Sequence, residues 1–261
     1  MAVLEEMQID PARETDHITS FIRSELEGAG LAKTVVGLSG GLDSTVVAFL
    51  CARAVGKDNV LGLVMPYRTS SLENSSDARH VAEFLGVRCE TIDITPAADA
   101  LREMLATDDR IRMGNVLART RMVVLYDRSA AHGALVAGTG NRTEAMLGYT
   151  TLHGDSACGF QPIAHLYKCQ VRQLGAYLRV PERILTKPPS ADLWEGQTDE
   201  GELGFSYDDA DWLLFNMLDK GKSDNRLEAM GFEPDFVARV RALIATSEFK
   251  RRMPNSLLKP D

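Results

Sequence analysis

The sequence predicts an α/β protein with a doubly wound, mainly parallel sheet, helices on both faces and a helical C-terminal extension. Three observations indicate this fold. Short apolar runs rich in Val, Ile and Leu recur through the first 140 residues, as is typical of buried strands. Stretches with helical periodicity separate these runs, and such alternation is the pattern of a parallel sheet. Three more helical stretches close the chain over residues 207–247.

The elements follow from periodicity and from the residues that interrupt it. A first helix is predicted over residues 9–27 because Ile18, Ile22 and Leu26 recur on one face and Gly28 ends the pattern. Strands are predicted over residues 35–38, 59–65, 87–94 and 135–137. Further helices are predicted over residues 44–55, 69–85, 96–106, 114–132, 143–147, 168–178, 207–220, 223–230 and 233–247, with a short one starting at Pro181.

Two longer connections carry no clear period. Residues 148–161 are rich in glycine and are interpreted as a loop. Residues 186–205 combine Pro, Gly, Asp and Glu in a connection long enough to be mobile or to form a lid.

Residues 37–44 read Gly-Leu-Ser-Gly-Gly-Leu-Asp-Ser and join the first strand to a helix. Amide groups at such a turn point to one spot and favour an anion. A Walker loop requires a lysine where this turn has Asp43 and Ser44, and the three-glycine spacing of a dinucleotide fingerprint is missing. The run also fits the nucleophile elbow, so a serine hydrolase using Ser39 is a competing interpretation; it needs His153 or His165 nearby.

Composition excludes several classes of protein. The chain has 261 residues, of which 44% are hydrophobic and 25% charged, as in soluble globular proteins. A net charge of −8 argues against a nucleic-acid surface but not against binding one nucleotide. No apolar run reaches the ~20 residues of a membrane span, and residues 1–10 lack a signal-peptide pattern. We therefore expect a cytoplasmic protein with no membrane or nucleic-acid partner.

Cysteine and histidine spacing does not indicate a zinc site. The four cysteines never form a C-x-x-C pair, and we expect reduced, mostly buried thiols. The five histidines show no metal-ligand spacing with those cysteines.

Residues 39–44, Ser-Gly-Gly-x-Asp-Ser, resemble the pyrophosphate loop of the ATP-pyrophosphatases, which split ATP into AMP and pyrophosphate. Four later blocks of sequence indicate which family of ATP-pyrophosphatases the chain resembles. They are Asn-Val-Leu-Ala-Arg-Thr-Arg-Met at 115–122, Gly-Thr-Gly-Asn-Arg-Thr-Glu at 138–144, Leu-Tyr-Lys at 166–168 and Lys-Pro-Pro-Ser at the start of 187–200. Together they are similar to the ammonia-dependent NAD synthetases over residues 34–252.

The resemblance implies a fold of the adenine nucleotide alpha hydrolase type and a division of the chain. One NAD synthetase-like domain over residues 1–261 would contain an N-terminal helix (1–33), an ATP-pyrophosphatase core (34–190), and a mobile loop with C-terminal helices (191–261). The implied reaction is formation of NAD from nicotinic acid adenine dinucleotide, ammonia and ATP through an adenylated carboxylate, releasing AMP and pyrophosphate. A homodimer is implied as well. No glutaminase domain precedes residue 34, so free ammonia or a separate partner is expected to supply nitrogen.

The resemblance also assigns residues to roles. Magnesium would be held by Asp43 and Glu144, which offer hard oxygen ligands from two elements. Lys168 would offset charge on the phosphates, and Asp155 is our hypothesis for the acceptor of the ammonium proton. Arg119 and Lys250 would contact the dinucleotide. Met65 is expected to contact ATP because it lies at the carboxyl end of the second predicted strand. The other ATP contacts, which the resemblance implies, are Gly37, Leu38, Ser39, Gly40, Gly41, Leu42, Asp43, Ser44, Thr139, Lys168 and Ser190.

Three positions depart from the family pattern. Many members carry Lys, Asp and His where this chain has Leu152, Gly159 and Phe249, at positions that touch the dinucleotide. One interpretation is that the same substrate is bound differently, with His153 and Arg251 compensating. Another is that the enzyme amidates a different small carboxylate. A nucleotide sensor of the same fold, which binds ATP without cleaving it, is a third alternative.

Overall fold

A four-stranded parallel sheet forms the centre of the molecule, in the strand order β3-β2-β1-β4. The computed structural model describes residues 2–190, 192–194 and 196–254, with the side chains of residues 2–4 left out. The strands are β1 (Lys33–Gly37), β2 (Val60–Val64), β3 (Arg88–Thr91) and β4 (Ala134–Ala137). All three strand pairs are parallel, so the predicted doubly wound fold is confirmed.

Helices connect the strands and make up the C-terminal third. They are α1 (Pro11–Gly28), α2 (Leu42–Val55), α3 (Leu72–Leu85), α4 (Thr95–Leu105), α5 (Arg110–His132), α6 (Arg142–Leu147), α7 (Lys168–Tyr177), α8 (Glu182–Leu185), α9 (Asp199–Leu203), α10 (Tyr207–Leu214), α11 (Asp224–Ala229) and α12 (Pro234–Thr246). A π-helix, Phe215–Asp219, continues α10, and short 3-10 helices cover Ala2–Met7, Lys57–Asn59 and Glu248–Arg251. Helix α9 lies inside residues 186–205, which the sequence analysis interpreted as a connection without secondary structure. It was not predicted because five residues rich in acid and glycine give no apolar period.

Successive residues of β1 pack into apolar clusters on opposite faces of the sheet, so helices cover both faces. Val36 packs with α1, α2, α3 and α7 on one face of the sheet. Val35 packs on the other face with Leu117 of α5 and Ala98 of α4. A third apolar cluster joins α6 and α7 to the C-terminal helices around the fully buried Tyr207. The C-terminal helices therefore pack directly against the elements that carry the site.

The N-cap of α1 explains where this helix begins. Asp10 accepts hydrogen bonds from the amides of Ala12 and Arg13, and Pro11 occupies the first helical position, two residues later than the pattern predicted. Helix α1 buries Ile18, Ile22 and the other apolar residues of one face against α2 and α7.

The four cysteines are free thiols, but only Cys51 and Cys169 are buried, fewer than the sequence led us to expect. In the described part of the chain no helix is both long and apolar enough to span a bilayer.

Candidate active site

A cavity of about 680 Å³ opens at the carboxyl ends of β1, β2 and β4. The chain continues from β1 to its neighbour β2, whereas after β4 it returns on the opposite side, where Phe160 forms a parallel bridge with Ala137. Ligands bind at such switch points of a parallel sheet. Nearly all the sequence-predicted site residues line this cavity; only Gly40 and Arg119 do not. Apart from Arg119, the predicted residues therefore lie around one cavity.

The loop between β1 and α2 exposes amides without a side-chain cap. Gly40 has φ +79°, and a Cβ there would lie 2.2 Å from the carbonyl oxygen of Asn74, so only glycine fits. Gly41 occupies the N-cap of α2 and has no side chain to accept from the first helical amides. Ser39 and Ser44 contact each other through their hydroxyls at 3.0 Å, and the amide of Gly41 donates to Ser39 Oγ at 3.2 Å. The loop thus presents N–H and O–H donors where an anion is favoured.

Lys168 joins the two carboxylates predicted to hold a metal. Its ammonium group pairs with Asp43 Oδ2 and lies 3.6 Å from Glu144 Oε1. Asn141 supports both acids, since its side-chain amide donates to Asp43 Oδ1 at 2.9 Å and its backbone amide donates to Glu144 Oε2 at 3.2 Å. The two carboxylates therefore lie within reach of a single cation, although they are a hundred residues apart in sequence.

The pKa values of both Glu144 and Lys168 are raised, for different reasons. Burial, together with the neighbouring Asp43 carboxylate, raises the pKa of Glu144 to about 8. Burial also opposes the charge on Lys168, but the Asp43 and Glu144 carboxylates outweigh it and hold the pKa of this ammonium group above its ordinary value. Two acids that share one lysine are an environment in which a second cation is favourable, and their oxygens fit a hard ion such as Mg²⁺.

A buried network positions Lys168 at the start of α7. The backbone amide of Lys168 donates to the Thr143 hydroxyl at 3.0 Å, and that hydroxyl donates to Asp211 Oδ1 at 2.5 Å. The amide of Cys169 donates to Asp211 Oδ2 at 2.7 Å. Sequence reasoning missed Asp211, because an acidic residue early in a C-terminal helix is indistinguishable from a solvated one.

Arg121 is a second residue that the sequence analysis did not single out. Its guanidinium donates to the Met65 carbonyl at 3.1 Å and to Ser70 Oγ at 3.3 Å, which joins α5 to the end of β2. Burial lowers the pKa of this guanidinium. In the sequence, the one signal for Arg121 is its place in the run Asn-Val-Leu-Ala-Arg-Thr-Arg-Met at residues 115–122.

The connection after α8 forms one wall of the cavity. Ser190 donates its hydroxyl to the Gln197 carbonyl at 2.7 Å, so this predicted ATP contact also shapes its own loop. Asp199, the first residue of α9, accepts hydrogen bonds from two tyrosines. Tyr149 donates to its Oδ1 at 3.1 Å, and Tyr207 donates to its Oδ2 at the same distance. These bonds hold α9 beside the lysine cluster.

The residues assigned to the acid substrate are divided between two places. Lys250 lines the cavity and donates to the carbonyls of Gly148 and Thr150 at 2.8 and 2.7 Å. Arg119 is exposed outside the cavity walls and donates to the Leu152 carbonyl at 3.2 Å. Asp155 lines the cavity and accepts hydrogen bonds from the side chain of Thr150 and the amide of Thr151.

The structure bears on two of the departures from the family pattern, Gly159 and Phe249, and on the compensation suggested for Arg251. A Cβ at Gly159 would lie 3.2 Å from the Leu135 side chain, so a larger residue requires local movement. The guanidinium of Arg251 donates to the carbonyls of α6 and α12 and to Ser247, which is a structural role and does not support the suggested compensation. Phe249 is exposed.

The hydrolase interpretation requires an imidazole next to Ser39. Among the described residues Ser39 contacts Ser44 and Gly41, and no histidine hydrogen-bonds to it. His165 instead contacts Glu14. The nucleophile-elbow match therefore lacks the base that it needs.

The parallel sheet, the glycine loop at its carboxyl edge and the acid–lysine cluster beside that loop are together the arrangement expected of an ATP-pyrophosphatase with an adenine nucleotide alpha hydrolase-like fold. The family model described as NAD synthase matches residues 14–254, and the chain belongs to this family. The resemblance seen in the motifs is thereby confirmed.

Relatives and solved structures agree with this placement. An NH(3)-dependent NAD(+) synthetase of Chlorobium phaeobacteroides is 47% identical over 249 residues, covering 95% of this chain and 90% of the relative. The structure of an NH3-dependent NAD synthetase from Campylobacter jejuni superposes with a TM-score of 0.83 at 32% identity, covering 96% of this chain and 100% of the other. The structure of an NMN synthetase from Francisella tularensis gives a TM-score of 0.85 at 32% identity, covering 96% and 99%.

Proposed function

We propose that this chain forms NAD from nicotinic acid adenine dinucleotide, ammonia and ATP, releasing AMP and pyrophosphate. The observation that carries the proposal is the cluster of Lys168, Asp43 and Glu144 facing the glycine loop at the carboxyl edge of the sheet. Membership of the NAD synthase family and curated ammonia-dependent relatives at 47% identity support the reaction.

In the proposed mechanism the glycine loop holds the β and γ phosphates of ATP. The uncapped amides at the start of α2 and the hydroxyls of Ser39 and Ser44 donate to phosphate oxygens. Lys168 offsets the charge that builds on the departing pyrophosphate while the substrate carboxylate attacks the α-phosphorus. Thr139, Met65 and Ser190 line the same cavity and are proposed to bind the rest of the nucleotide.

Asp43 and Glu144 are proposed to hold Mg²⁺. When bound, Mg²⁺ would neutralise the phosphate oxygens and favour departure of pyrophosphate. Asn141 keeps the two carboxylates on the same side of the cavity through one hydrogen bond to each. Lys168, which pairs with both acids, would then be available to the phosphates.

The second half of the reaction needs a proton acceptor. Ammonia attacks the adenylated carboxyl carbon, the C–N bond forms, and the bond to the AMP oxygen breaks. The nitrogen loses a proton in this step, and Asp155 is the proposed acceptor because its carboxylate lines the cavity and is held by Thr150 and Thr151. Lys250, at the same end of the cavity, is proposed to bind the acid substrate.

A homodimer is part of the proposal. Arg119 lies outside the cavity of its own chain, where a substrate lying along a subunit interface would reach it. Helix α5 leaves Val123 and Tyr126 exposed one turn apart, whereas α1 buries most of its apolar residues within the chain. Helix α5 is therefore a better candidate for the interface than α1.

Formation of NMN is a second candidate. It is favoured by the superposition on the Francisella tularensis NMN synthetase and by Leu152, Gly159 and Phe249, which depart from the family pattern at positions assigned to the dinucleotide. Both reactions amidate a nicotinate carboxyl group and would use the same ATP site.

Substrate competition distinguishes the two candidates. The enzyme is given ATP, Mg²⁺ and ¹⁵N-ammonia with equal amounts of nicotinic acid adenine dinucleotide and nicotinic acid mononucleotide, and labelled NAD and NMN are measured by mass spectrometry. The proposal expects labelled NAD in excess. An excess of labelled NMN would transfer the assignment to the second candidate, and labelling of neither would reject both.

A further inference from the structure

The fold brings together three potential metal ligands that are dispersed in the sequence. Glu14 and His17 lie one turn apart on α1, and His165 lies in the segment that leads to α7. Glu14 Oε1 is 2.6 Å from His165 Nε2 and 3.4 Å from His17 Nδ1. One ligand atom from each residue lies within 4.8 Å of the other two.

His165 and Glu14 form a hydrogen bond in this structure, and the spacing of the three potential ligand atoms is close to that around a metal ion. Bonds of about 2.0–2.2 Å to nitrogen and oxygen place the ligand atoms of a tetrahedral zinc ion roughly 3.4 Å apart. The Glu14 to His17 distance already has this value, and the Glu14 to His165 contact needs to open by less than 1 Å. The imidazole planes of His17 and His165 are inclined at 67°, with centroids 6.0 Å apart, so the rings converge on the carboxylate without stacking.

We propose that Glu14, His17 and His165 bind one divalent transition-metal ion of the Zn²⁺ type. Two imidazole nitrogens and a carboxylate oxygen fill three positions, and water completes the tetrahedron because His17 and His165 are partly exposed. Imidazole ligands select zinc, nickel or copper over magnesium. None of the three residues lines the nucleotide cavity, so this site is separate from the one proposed for Mg²⁺.

The ion would tie α1 to the entry of α7. His165 precedes Lys168 by three residues, and the polypeptide before α1 already contacts α7, since Gln170 and Gln173 donate to the Met7 carbonyl. A bound ion would therefore stabilise the folded chain around the segment that carries the active-site lysine. This effect follows from linkage, because the unfolded chain lacks the preformed site.

The test is an isothermal calorimetric titration of the metal-free protein with Zn²⁺ in the presence of excess Mg²⁺, which measures the affinity and the number of zinc ions bound. A parallel titration with Co²⁺ uses visible absorption to report tetrahedral coordination. The wild type is expected to bind one Zn²⁺ and to melt at a higher temperature when it is bound. His17→Ala and His165→Ala are expected to weaken Zn²⁺ binding by roughly 100-fold or more. Removing a group that only hydrogen-bonds to a metal ligand already costs about 10- to 100-fold, and these variants remove a ligand itself.

His80→Ala is the matched control, since His80 is an exposed helical histidine whose contact is Ser76. It should bind Zn²⁺ as the wild type does. Melting temperatures without metal show whether each variant is folded; if His165→Ala does not fold, His17→Ala on the exposed face of α1 decides alone. Equal Zn²⁺ affinity in wild type and His17→Ala, or no binding by the wild type, would overturn the proposal.

Discussion

Lys168 is charged in a nearly closed site because two carboxylates surround it. Its side chain is only 5% exposed, and the ring of Tyr207 lies 5.1 Å from the ammonium nitrogen. A buried lysine without such partners would lose its proton. In this site the charge is retained, so it is available when the phosphates of ATP enter.

Replacing Lys168 tests its role in pyrophosphate departure. Lys168→Met removes the cation and is expected to lower kcat by about 10²–10³-fold, as for other groups that stabilise transition-state charge. Lys222→Met, which changes a lysine paired with Asn216 outside the cavity, is the control. Steady-state measurement of pyrophosphate release checks this, and a Lys168→Met enzyme with an unchanged kcat would exclude the assigned role.

Glu144 predicts a pH dependence of stability. Its pKa is about 8 in the folded protein, against an ordinary value of 4.5, so the folded state binds this proton more tightly than the unfolded chain. The free energy of unfolding should therefore fall as pH rises from about 4.5 to about 8, and Glu144→Gln should remove this part of the slope. Urea unfolding of the ligand-free protein across this range measures it. A variant with the same slope as the wild type would show that another group titrates.

At the scale of elements, the site depends on how α6, α7 and α10 meet. Thr143 of α6 and Asp211 of α10 fix the first amides of α7, which determines where Lys168 points. The C-terminal helices are thus part of the active-site framework. The π-helix after α10 adds a further link, because Tyr167 donates to Asp219 at 3.1 Å.

Asp211→Asn should damage this framework. The amide side chain places an NH₂ group against one of two buried donors, which costs about 1–3 kcal/mol of the free energy of unfolding. We expect kcat to fall as well, since the start of α7 would shift. Asp208→Asn is the control, as Asp208 forms only an exposed ion pair with Arg172. Equal stability of the two variants would contradict the assigned role of Asp211.

The element scale also shows what the sequence could and could not predict. Strand and helix positions followed from periodicity, and the glycine turns at the strand ends pointed to residues that line the cavity. Asp211, Arg121 and Asn141 were missed because their importance comes from partners far away in the chain. The cluster of Glu14, His17 and His165 was invisible for the same reason, since metal-ligand spacing along the sequence does not reveal ligands that tertiary packing assembles.

In the proposed dimer of the whole molecule, the exposed apolar face of α5 forms the subunit interface, and a substitution on this face can test it. Val123 is 61% exposed and Tyr126 42% exposed, and a charge on this face would prevent a helix from packing there. Val123→Asp is expected to shift the mass in solution from dimer to monomer, as measured by light scattering. Leu72→Asp, at an exposed apolar residue of α3, should leave the mass unchanged. A Val123→Asp protein that stays dimeric would show that the interface does not include this face of α5. A monomeric wild type would contradict the proposed dimer.

The central claim is that this site cleaves ATP between the α and β phosphates to activate a carboxylate. The most direct measurement is a rapid-quench experiment with α-labelled ATP, Mg²⁺ and nicotinic acid adenine dinucleotide in the absence of ammonia. The account predicts pyrophosphate and an acid-dependent adenylate, limited to about one per site, which ammonia converts to NAD and AMP. Formation of ADP and phosphate, or pyrophosphate release that does not require the acid, would contradict it.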